Sequence, residues 1–331
     1  MRDAELAKQV YSRVPVLIPS GPAGTQPWMV RLKQGLFNMT TRSSSFFTFN
    51  SLVDSGATLD GNVFVGDDGV RYLPLYEGKL VHHFDHRFAT YEGASGDNTI
   101  EVDGARKVDP NWAIMPRYWV SEGEVGEKLE GWDREWLIGF RKVARSTDER
   151  TLVGTVVPAY GAGDSLQLLL PADARGVRAA ALVASIGRFA LDTIARLKVG
   201  GSNLNFFIMN QLPVLPPETF NDRVPWGGDR SETLAQWISS RVLELTYTAW
   251  DLRPWAIELG YHGEPFIWDE QRREQLRAEL DACFFHLYGY SRDQVEHAME
   301  SFPIIKRRDE KQFGEYRMKH QILELFEEYS S

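Results

Sequence analysis

The hydrophobic pattern of this 331-residue chain changes near residue 217, and that change constrains its fold more than any single motif. Before this point, short apolar and β-branched runs alternate with turns rich in Gly, Asp and Asn, which is typical of short strands. After it, apolar residues recur at helical spacing, as in Leu276, Leu280, Phe284 and Leu287. The pattern predicts an α+β chain that is β-rich first and helical afterwards.

Four runs predict the main strands of the β-rich part. They are residues 45–50, 70–76, 151–158 and 165–171. The sequence YGAGD at residues 160–164 predicts a hairpin loop, because a strand-like run and not a helix follows it. A single helix is predicted over residues 180–201, ending at the glycine pair.

Three segments follow from these patterns. Residues 1–33 contain a short helix over residues 2–12 and an extended linker rich in Pro and Gly. Residues 34–217 are expected to form a domain of short mixed strands with one or two helices, and residues 218–331 an all-helical domain. In the latter, Ser291 and Gln294 predict a capping box, and a last helix is expected over residues 309–329.

The distribution of charge limits the partners that the chain can bind. The net charge of −9 argues against a generally basic nucleic-acid binder. Residues 231–331 hold 12 Lys and Arg against 19 Asp and Glu, whereas residues 1–230 hold 25 against 27. A local basic groove in the first two thirds is therefore compatible with the sequence, and the acidic final third is expected to face water or a protein.

No apolar run is long enough to span a bilayer, and the first residues lack the order of a signal peptide, so we expect a cytoplasmic protein without membrane partners. The single cysteine, Cys283, lies on an apolar helical face and is expected to be a buried, inert thiol.

Three of the seven histidines fall within residues 74–93. The residues with metal-ligand chemistry are His82, His83, Asp85 and His86. The local sequence is not helical, and adjacent histidines in a strand point to opposite faces. Three interpretations stay open: a metal site, packing of the histidines with Asp85, or polar contacts with nucleic acid that include Lys79 and Arg87.

Two other stretches have residue types suited to DNA. Residues 139–158 carry four cations, and residues 198–217 pair two glycines with neutral hydrogen-bonding side chains. Arginine suits bidentate recognition of guanine or phosphate, and Asn can read adenine edges. A solvated charged face and a helix stop explain the same residues without function. No serine-hydrolase elbow, zinc-protease motif or Walker loop is present, and no catalytic residue is predicted.

Five segments in order, FNMTTRSSSFF, YLPLYEGKLVHHFDHRFATY, GFRKVARSTDERTLVGTVVP, KVGGSNLNFFIMNQLPVLPP and FPIIKRRDEKQFGEYRMKHQILE, resemble the C-terminal half of large adenine-specific DNA methyltransferases. These are the type IIG-like restriction-modification enzymes and the methyltransferases of the BREX and DISARM phage-defence systems. The resemblance covers nearly the whole chain. It implies a target-recognition domain followed by a helical region, with double-stranded DNA as partner.

The catalytic motifs of that family are absent from the sequence. Its S-adenosylmethionine loop and its Asn-Pro-Pro-aromatic motif have no counterpart, and the nearest sequence is DPNW at residues 109–112. The chain also departs from the family at Arg42, where an acidic residue is expected. The resemblance therefore implies a recognition part without its own cofactor or catalysis. It would act with a separate methyltransferase catalytic domain or subunit that binds S-adenosylmethionine, and with other defence proteins, and residues 1–33 would be the linker from the catalytic half.

The residues expected to contact DNA combine the cations and polar groups of these segments. They are Lys79, His83, Arg87, Arg117, Arg141, Lys142, Arg145, Lys198, Ser202 and Asn203. Two other functions remain as alternatives: a metal-dependent hydrolase or nuclease centred on residues 82–86, and a protein-interaction subunit of a defence complex.

Overall fold

The computed structural model describes residues 2–20, 26–40, 45–172, 175–226 and 231–330. Its strands are β1 (Val30–Lys33), β2 (Thr58–Asp60), β3 (Val63–Val65), β4 (Arg71–Tyr76), β5 (Ala89–Thr90), β6 (Ile100–Glu101), β7 (Trp119–Ser121), β8 (Trp136–Arg141), β9 (Gly154–Pro158), β10 (Gly161–Ala162) and β11 (Leu166–Pro171). Its helices are α1 (Arg2–Arg13), α2 (Phe49–Asp54), α3 (Gly104–Val108), α4 (Glu122–Lys128), α5 (Val177–Ser185), α6 (Phe189–Lys198), α7 (Phe206–Asn210), α8 (Leu234–Thr246), α9 (Arg253–Glu258), α10 (Glu270–Leu287), α11 (Arg292–Glu300), α12 (Pro303–Phe313) and α13 (Arg317–Glu328). The fold is α+β, as the sequence predicts.

Most of the strands belong to two sheets. One has four antiparallel strands in the order β1-β11-β8-β9, and every residue of β9 and β11 is buried. The other has the order β10-β4-β3-β2, with β7 also paired to β4 and β10 parallel to it. A small β5-β6 pair lies apart from both. Strands β8, β9 and β11 of the first sheet are buried on both faces, which matches their nearly continuous apolar sequence.

Three of the four predicted strands are confirmed as β4, β9 and β11. The fourth, residues 45–50, is wrong. Thr48 caps α2 there and forms a capping box with Ser51, and only Phe47 makes a bridge, to Trp119. The Thr48 hydroxyl accepts a hydrogen bond from a free amide at the start of α2. This local preference for a helix outweighs the preference of the aromatic run for a strand.

The predicted hairpin at residues 160–164 is also wrong. Strands β9 and β11 do not pair with each other, because β8 lies between them and pairs with both. The loop instead contains β10, which crosses to β4 in the other sheet. Gly161 permits that crossing, since a Cβ there would lie 2.7 Å from the side chain of Val120.

The predicted helix over residues 180–201 is two helices, α5 and α6, separated at Gly187. Gly187 has φ +86°, and an added Cβ would lie 2.5 Å from the ring of His83. Both observations require glycine, and the left-handed backbone ends α5. Residues 34–217 contain six helices, α2 to α7, in the part that the structure describes, so the expectation of one or two helices is wrong.

The final part of the chain is helical, as predicted. Residues 218–226 and 231–330 contain α8 to α13 and no strand. The capping box of Ser291 and Gln294 is confirmed at the start of α11. The last helix, expected to be one, is divided into α12 and α13 by Gly314, which has φ +79° and caps α12.

One hydrophobic cluster joins all three predicted segments. It extends from Leu6 in α1, through Ile138 of β8 and Leu191 of α6, to Phe326 in α13. A smaller cluster packs between the two sheets, around Leu75 and Leu168. The predicted boundaries at residues 33 and 217 stay predictions, and the main core is continuous across them. Within the described ranges, no helix has both the length and the apolar character that a membrane span needs.

Candidate nucleic-acid interface

The histidine-rich stretch forms a buried turn. The backbone amides and carbonyls of His82 and Asp85 bond to each other in both directions, at 2.7 and 3.0 Å. Phe84, inside this turn, has φ +56°, a conformation that is uncommon for a large residue. The turn is held from the helical side, since Arg273 of α10 donates to the carbonyl oxygen of Phe84 at 3.1 Å.

Arg87 is fully buried, and its predicted contact with DNA is wrong. Its guanidinium donates to the carbonyl oxygens of Lys107, Asp109, Trp112 and Thr248 at 2.8 to 2.9 Å. These acceptors lie in the β-rich part and in the segment after α8. The guanidinium of Arg87 therefore connects two parts of the fold and is not available to contact DNA.

His83 is also buried, and its predicted contact with DNA is wrong for the same reason. Its Nδ1 lies 3.2 Å from the carbonyl oxygen of Gly154, and its Nε2 contacts the guanidinium of Arg188. Burial, and then Arg188, hold the pKa of His83 well below its usual value. A neutral ring that donates from Nδ1 and accepts at Nε2 satisfies both contacts.

The other members of the stretch are occupied by protein partners. Asp85 accepts from Lys107 at 2.6 Å, and His86 Nε2 lies 2.9 Å from Asp251 Oδ1. Burial would raise the pKa of Asp85, but Lys107 and Arg273 outweigh it and lower that pKa. Across the residues that the structure describes, no three His, Cys, Asp or Glu side chains are grouped as a metal site. The geometry gives the metal-hydrolase alternative no support.

Two of the remaining predicted stretches lie side by side at the surface. Val143 and Asn203 form an antiparallel bridge. The amide of Ala144 donates to the carbonyl oxygen of Ser202 at 3.0 Å, and the amide of Leu204 donates to the carbonyl oxygen of Lys142 at 2.7 Å. We call residues 142–145 and 202–204 the paired segments. The side chains of Arg145, Ser202 and Asn203 are exposed, and none has a hydrogen-bond partner among the described residues. They are free to contact a ligand.

A groove of about 430 Å³ adjoins the paired segments and shares Val143 with them. We call it the surface groove. It is lined by Glu77, Gly78, Lys79, Arg141, Val143, Asp148 and Ser165. Arg141 is held in place by donating from Nε to the carbonyl oxygen of Val81 at 2.7 Å, and burial lowers its pKa. Gly78 lets the chains approach closely, since a Cβ there would lie 2.5 Å from the carbonyl oxygen of Ser165.

Asp97 links two more predicted cations at the edge of this groove. Its carbonyl oxygen accepts from Lys79 at 2.7 Å, and its carboxylate lies 2.6 Å from Arg117. Lys142 is half-buried and pairs with Asp164 at 3.1 Å. Lys198, at the end of α6, is exposed, and its Nζ lies 3.3 Å from Gln211. Eight of the ten predicted residues thus keep some exposure to solvent. The contacts above connect seven of them, and Lys198 is joined only to Gln211.

The sequence reasoning missed the apolar part of this surface. Val143 is 58% exposed and Phe207, on the short helix α7, is 73% exposed. The sequence signal for Phe207 is the Phe-Phe pair directly after Asn205. Asn205 caps α7, and adjacent residues on a helix point in different directions, so both rings do not face the core.

Comparison with known protein families gives no family model that matches this chain, and no curated protein matches it.

Proposed function

We propose that this chain recognises sequence in double-stranded DNA for an adenine-N6-specific, S-adenosylmethionine-dependent methyltransferase of a restriction-modification or phage-defence system. The catalytic part and the cofactor would belong to a partner domain or subunit. The observation that carries the proposal is the backbone pairing of residues 142–145 with residues 202–204. These belong to two of the five segments that resemble the methyltransferase recognition half.

The charge of this surface supports DNA as its ligand. Six cations stand against five carboxylates here, whereas the whole chain has a net charge of −9. The cations are Lys79, Arg117, Arg141, Lys142, Arg145 and Lys198, and the carboxylates are Glu77, Asp97, Glu101, Asp148 and Asp164. A locally positive surface on an acidic protein directs a polyanion to one place and repels it elsewhere.

The chemistry of the exposed groups divides into two roles. Arg145 has an exposed guanidinium without a protein partner among the described residues, which suits a phosphate or a guanine edge. Asn203 and Ser202 can read base edges, and the exposed Val143 and Phe207 suit thymine methyl groups or stacked bases. Phosphate contacts set the position, and the paired segments supply the side chains that discriminate between bases.

Selection of a binding site from a randomised duplex pool, at several salt concentrations, tests the proposal. We expect one short motif to be enriched and the affinity to fall steeply with salt. Arg145→Ala should weaken binding to all sequences and lower the salt slope by about one if it contacts a phosphate. Asn203→Ala should lower discrimination at one position by about 1–3 kcal/mol.

The matched control is Arg292→Ala on α11, because Arg292 is exposed, pairs with Glu296 and lies outside the surface described above. It removes the same charge as Arg145→Ala and should leave the affinity and the motif unchanged. An absence of salt-dependent binding, or equal losses in the Arg145 and Arg292 variants, would contradict the proposed interface.

A further inference from the structure

A second cavity, of about 260 Å³, lies beside the second sheet, where four distant parts of the chain meet. It is lined by residues of β2, β3 and β4, by residues 110–113, by Tyr160, and by residues 249–251 between α8 and α9. It shares no residue with the surface groove or with the paired segments. Its volume lies below the range of about 300–1,000 Å³ for drug-sized ligands, so it suits a group as small as one side chain.

Three aromatic side chains line this cavity, which we call the aromatic cavity. They are Trp112, Tyr160 and Trp250, and none of them is fully buried. The face of an aromatic ring carries partial negative charge and attracts cations. Two arginines outside the lining already use this property, since the Cζ of Arg106 lies 5.9 Å from the ring centre of Trp112 and that of Arg253 lies 5.8 Å from Trp250. The walls therefore suit a planar cationic group.

Asn62 presents a fixed hydrogen-bond acceptor to the aromatic cavity. The residue is only 4% exposed, and its Nδ2 donates to the carbonyl oxygen of Ile114 at 3.2 Å. Its backbone carbonyl oxygen accepts from Trp119 Nε1 at 2.7 Å. The contact with Ile114 fixes the orientation of the amide, so the free atom is Oδ1. This Oδ1 has no hydrogen-bond partner among the described residues, and it remains accessible to solvent.

Two further acceptors of the aromatic cavity are free. The hydroxyl of Tyr160 and the carboxylate of Asp60 are accessible to solvent, and neither has a partner among the described residues. Burial, and then Asp251, raise the pKa of Tyr160 to about 12. Glu122 and Asp60 act in the same direction, and Arg71 acts against them. The Tyr160 hydroxyl is therefore protonated, and its surroundings hold more negative than positive charge.

The other charged groups in the lining are already paired. Arg71 lies 2.5 Å from Glu122, and Asp251 Oδ1 lies 2.9 Å from His86 Nε2. The second carboxylate oxygen of Asp251 is out of reach of solvent, so no ligand contact is assigned to it. Asp60 is thus the one charged residue of this lining without a partner of opposite charge in the described part of the chain. The cavity accordingly favours a cation over an anion.

We propose that the aromatic cavity binds a guanidinium group, with Asp60, Asn62 and Tyr160 as its acceptors and the aromatic rings as its walls. A guanidinium is favoured over an ammonium because it is planar, stacks on aromatic rings and directs five N–H donors in its plane. It is also more weakly hydrated, so it enters a partly enclosed cavity more readily. The group can belong to a small molecule or to an arginine side chain of a partner protein, which present the same donors. This site lies outside the proposed DNA interface and uses none of its residues.

The test is a titration of the full chain with N-acetyl-arginine amide, compared with N-acetyl-citrulline amide at the same ionic strength. Citrulline has the shape of arginine, but a neutral urea replaces the guanidinium. We expect the arginine derivative to raise the Tm and to shift the indole NMR signals of Trp112 and Trp250, which the variants Trp112→Phe and Trp250→Phe assign. The citrulline derivative should bind about tenfold more weakly, because it lacks the charge that strengthens the hydrogen bonds.

Asp60→Asn should weaken binding of the arginine derivative by about threefold or more, since it removes the free charge at an exposed position. Asp67→Asn is the matched control, because Asp67 is also exposed, has no partner among the described residues and lies outside the cavity. It should leave the affinity unchanged. Trp112→Leu keeps an apolar side chain but removes the aromatic face, and it should weaken binding as well.

Three results would overturn the proposal: equal affinities for the arginine and citrulline derivatives, indole signals that do not shift, or wild-type affinity in the Asp60→Asn variant. Adenosine that shifts these signals when the arginine derivative does not would assign the cavity to a neutral base instead. Asp60→Asn should leave duplex binding unchanged, and Arg145→Ala should leave binding of the arginine derivative unchanged. Failure of the DNA proposal and failure of the guanidinium site are then told apart.

A pool of short peptides with one fixed arginine identifies the source of the guanidinium. Enrichment of one flanking sequence supports an arginine of a partner protein. Binding of the arginine derivative without any preference among the peptides supports a small molecule.

Discussion

Arg87 donates a hydrogen bond of 2.9 Å to the backbone carbonyl oxygen of Thr248, a residue 161 positions later in the chain. The same guanidinium holds three carbonyl oxygens of residues 107–112. One side chain thus connects the segment after the histidine turn, the segment around α3 and the start of the helical part. Its removal takes this donor from the carbonyl oxygens of Lys107, Trp112 and Thr248, whereas that of Asp109 also accepts from the amide of Trp112.

Arg87→Ala should therefore lower the free energy of unfolding by about 3–5 kcal/mol, the range for breaking a buried charged network. Urea unfolding followed by circular dichroism measures this change. Arg106→Ala is the control, because Arg106 is exposed and pairs with Glu92 at 3.2 Å, and it should cost about 1 kcal/mol at most. Similar losses in both variants would show that the buried network does not contribute to the free energy of unfolding.

Gly187→Ala should destabilise the protein through two separate effects. The backbone at Gly187 has φ +86°, and the new Cβ would lie 2.5 Å from the ring of His83. Gly61 has φ +60° and nothing within 4 Å of an added Cβ, so Gly61→Ala measures the conformational cost alone. We expect about 1 kcal/mol for Gly61→Ala and about 1–3 kcal/mol more for Gly187→Ala. Equal values would place the ring of His83 farther from Gly187.

Acid should weaken the fold through its buried histidines. The pKa of His82 is lowered to about 3 and that of His83 well below its usual 6.5, both by burial first, and burial also lowers the pKa of His286. Below pH 6.5 these histidines bind protons in the unfolded chain but not in the folded chain. Stability is therefore complete above about pH 6.5 and falls as the pH decreases towards 3.

Each such histidine contributes a slope of up to about 1.4 kcal/mol per pH unit in that window. His83→Gln should remove its share of the slope between pH 4 and 6, measured by urea unfolding at each pH. His320→Gln is the control, since His320 is exposed beside Glu315. An unchanged slope in the His83 variant would mean that its ring accepts a proton in the folded state.

The thiol of Cys283 should be inert in the folded protein. It is the only cysteine of the chain, it is fully buried, and burial raises its pKa. We expect a thiol-reactive chromophore to label it only as fast as the surrounding helices open, and at once in denaturant. Fast labelling under native conditions would contradict the packing of α10.

The sequence predicts those parts of the fold that depend on neighbouring residues. The spacing of Leu276, Leu280 and Phe284 predicts α10, and the Ser291 capping box predicts α11, because helix periodicity and caps are local signals. The division at Gly187 is different. The ring of His83, more than a hundred residues earlier, leaves no room for a side chain at this position, and no local pattern contains that contact.

The same distinction explains the outcome for the candidate sites. Arg87 and Arg145 are both arginines in polar segments, yet one is buried on four carbonyl oxygens and the other is exposed. Residue type gives the chemistry, and long-range packing decides whether that chemistry faces inward or outward.

The bridge between Val143 and Asn203 limits how this surface can change over time. In paired extended segments, one inserted residue turns every side chain beyond it to the opposite face, whereas a substitution leaves the register intact. The surface can thus diversify by exchanging side chains at fixed positions, but not by insertions within residues 142–145 or 202–204. Relatives with new binding preferences are expected to differ in the identity of residues 143, 145, 202 and 203, with the spacing of the two segments kept.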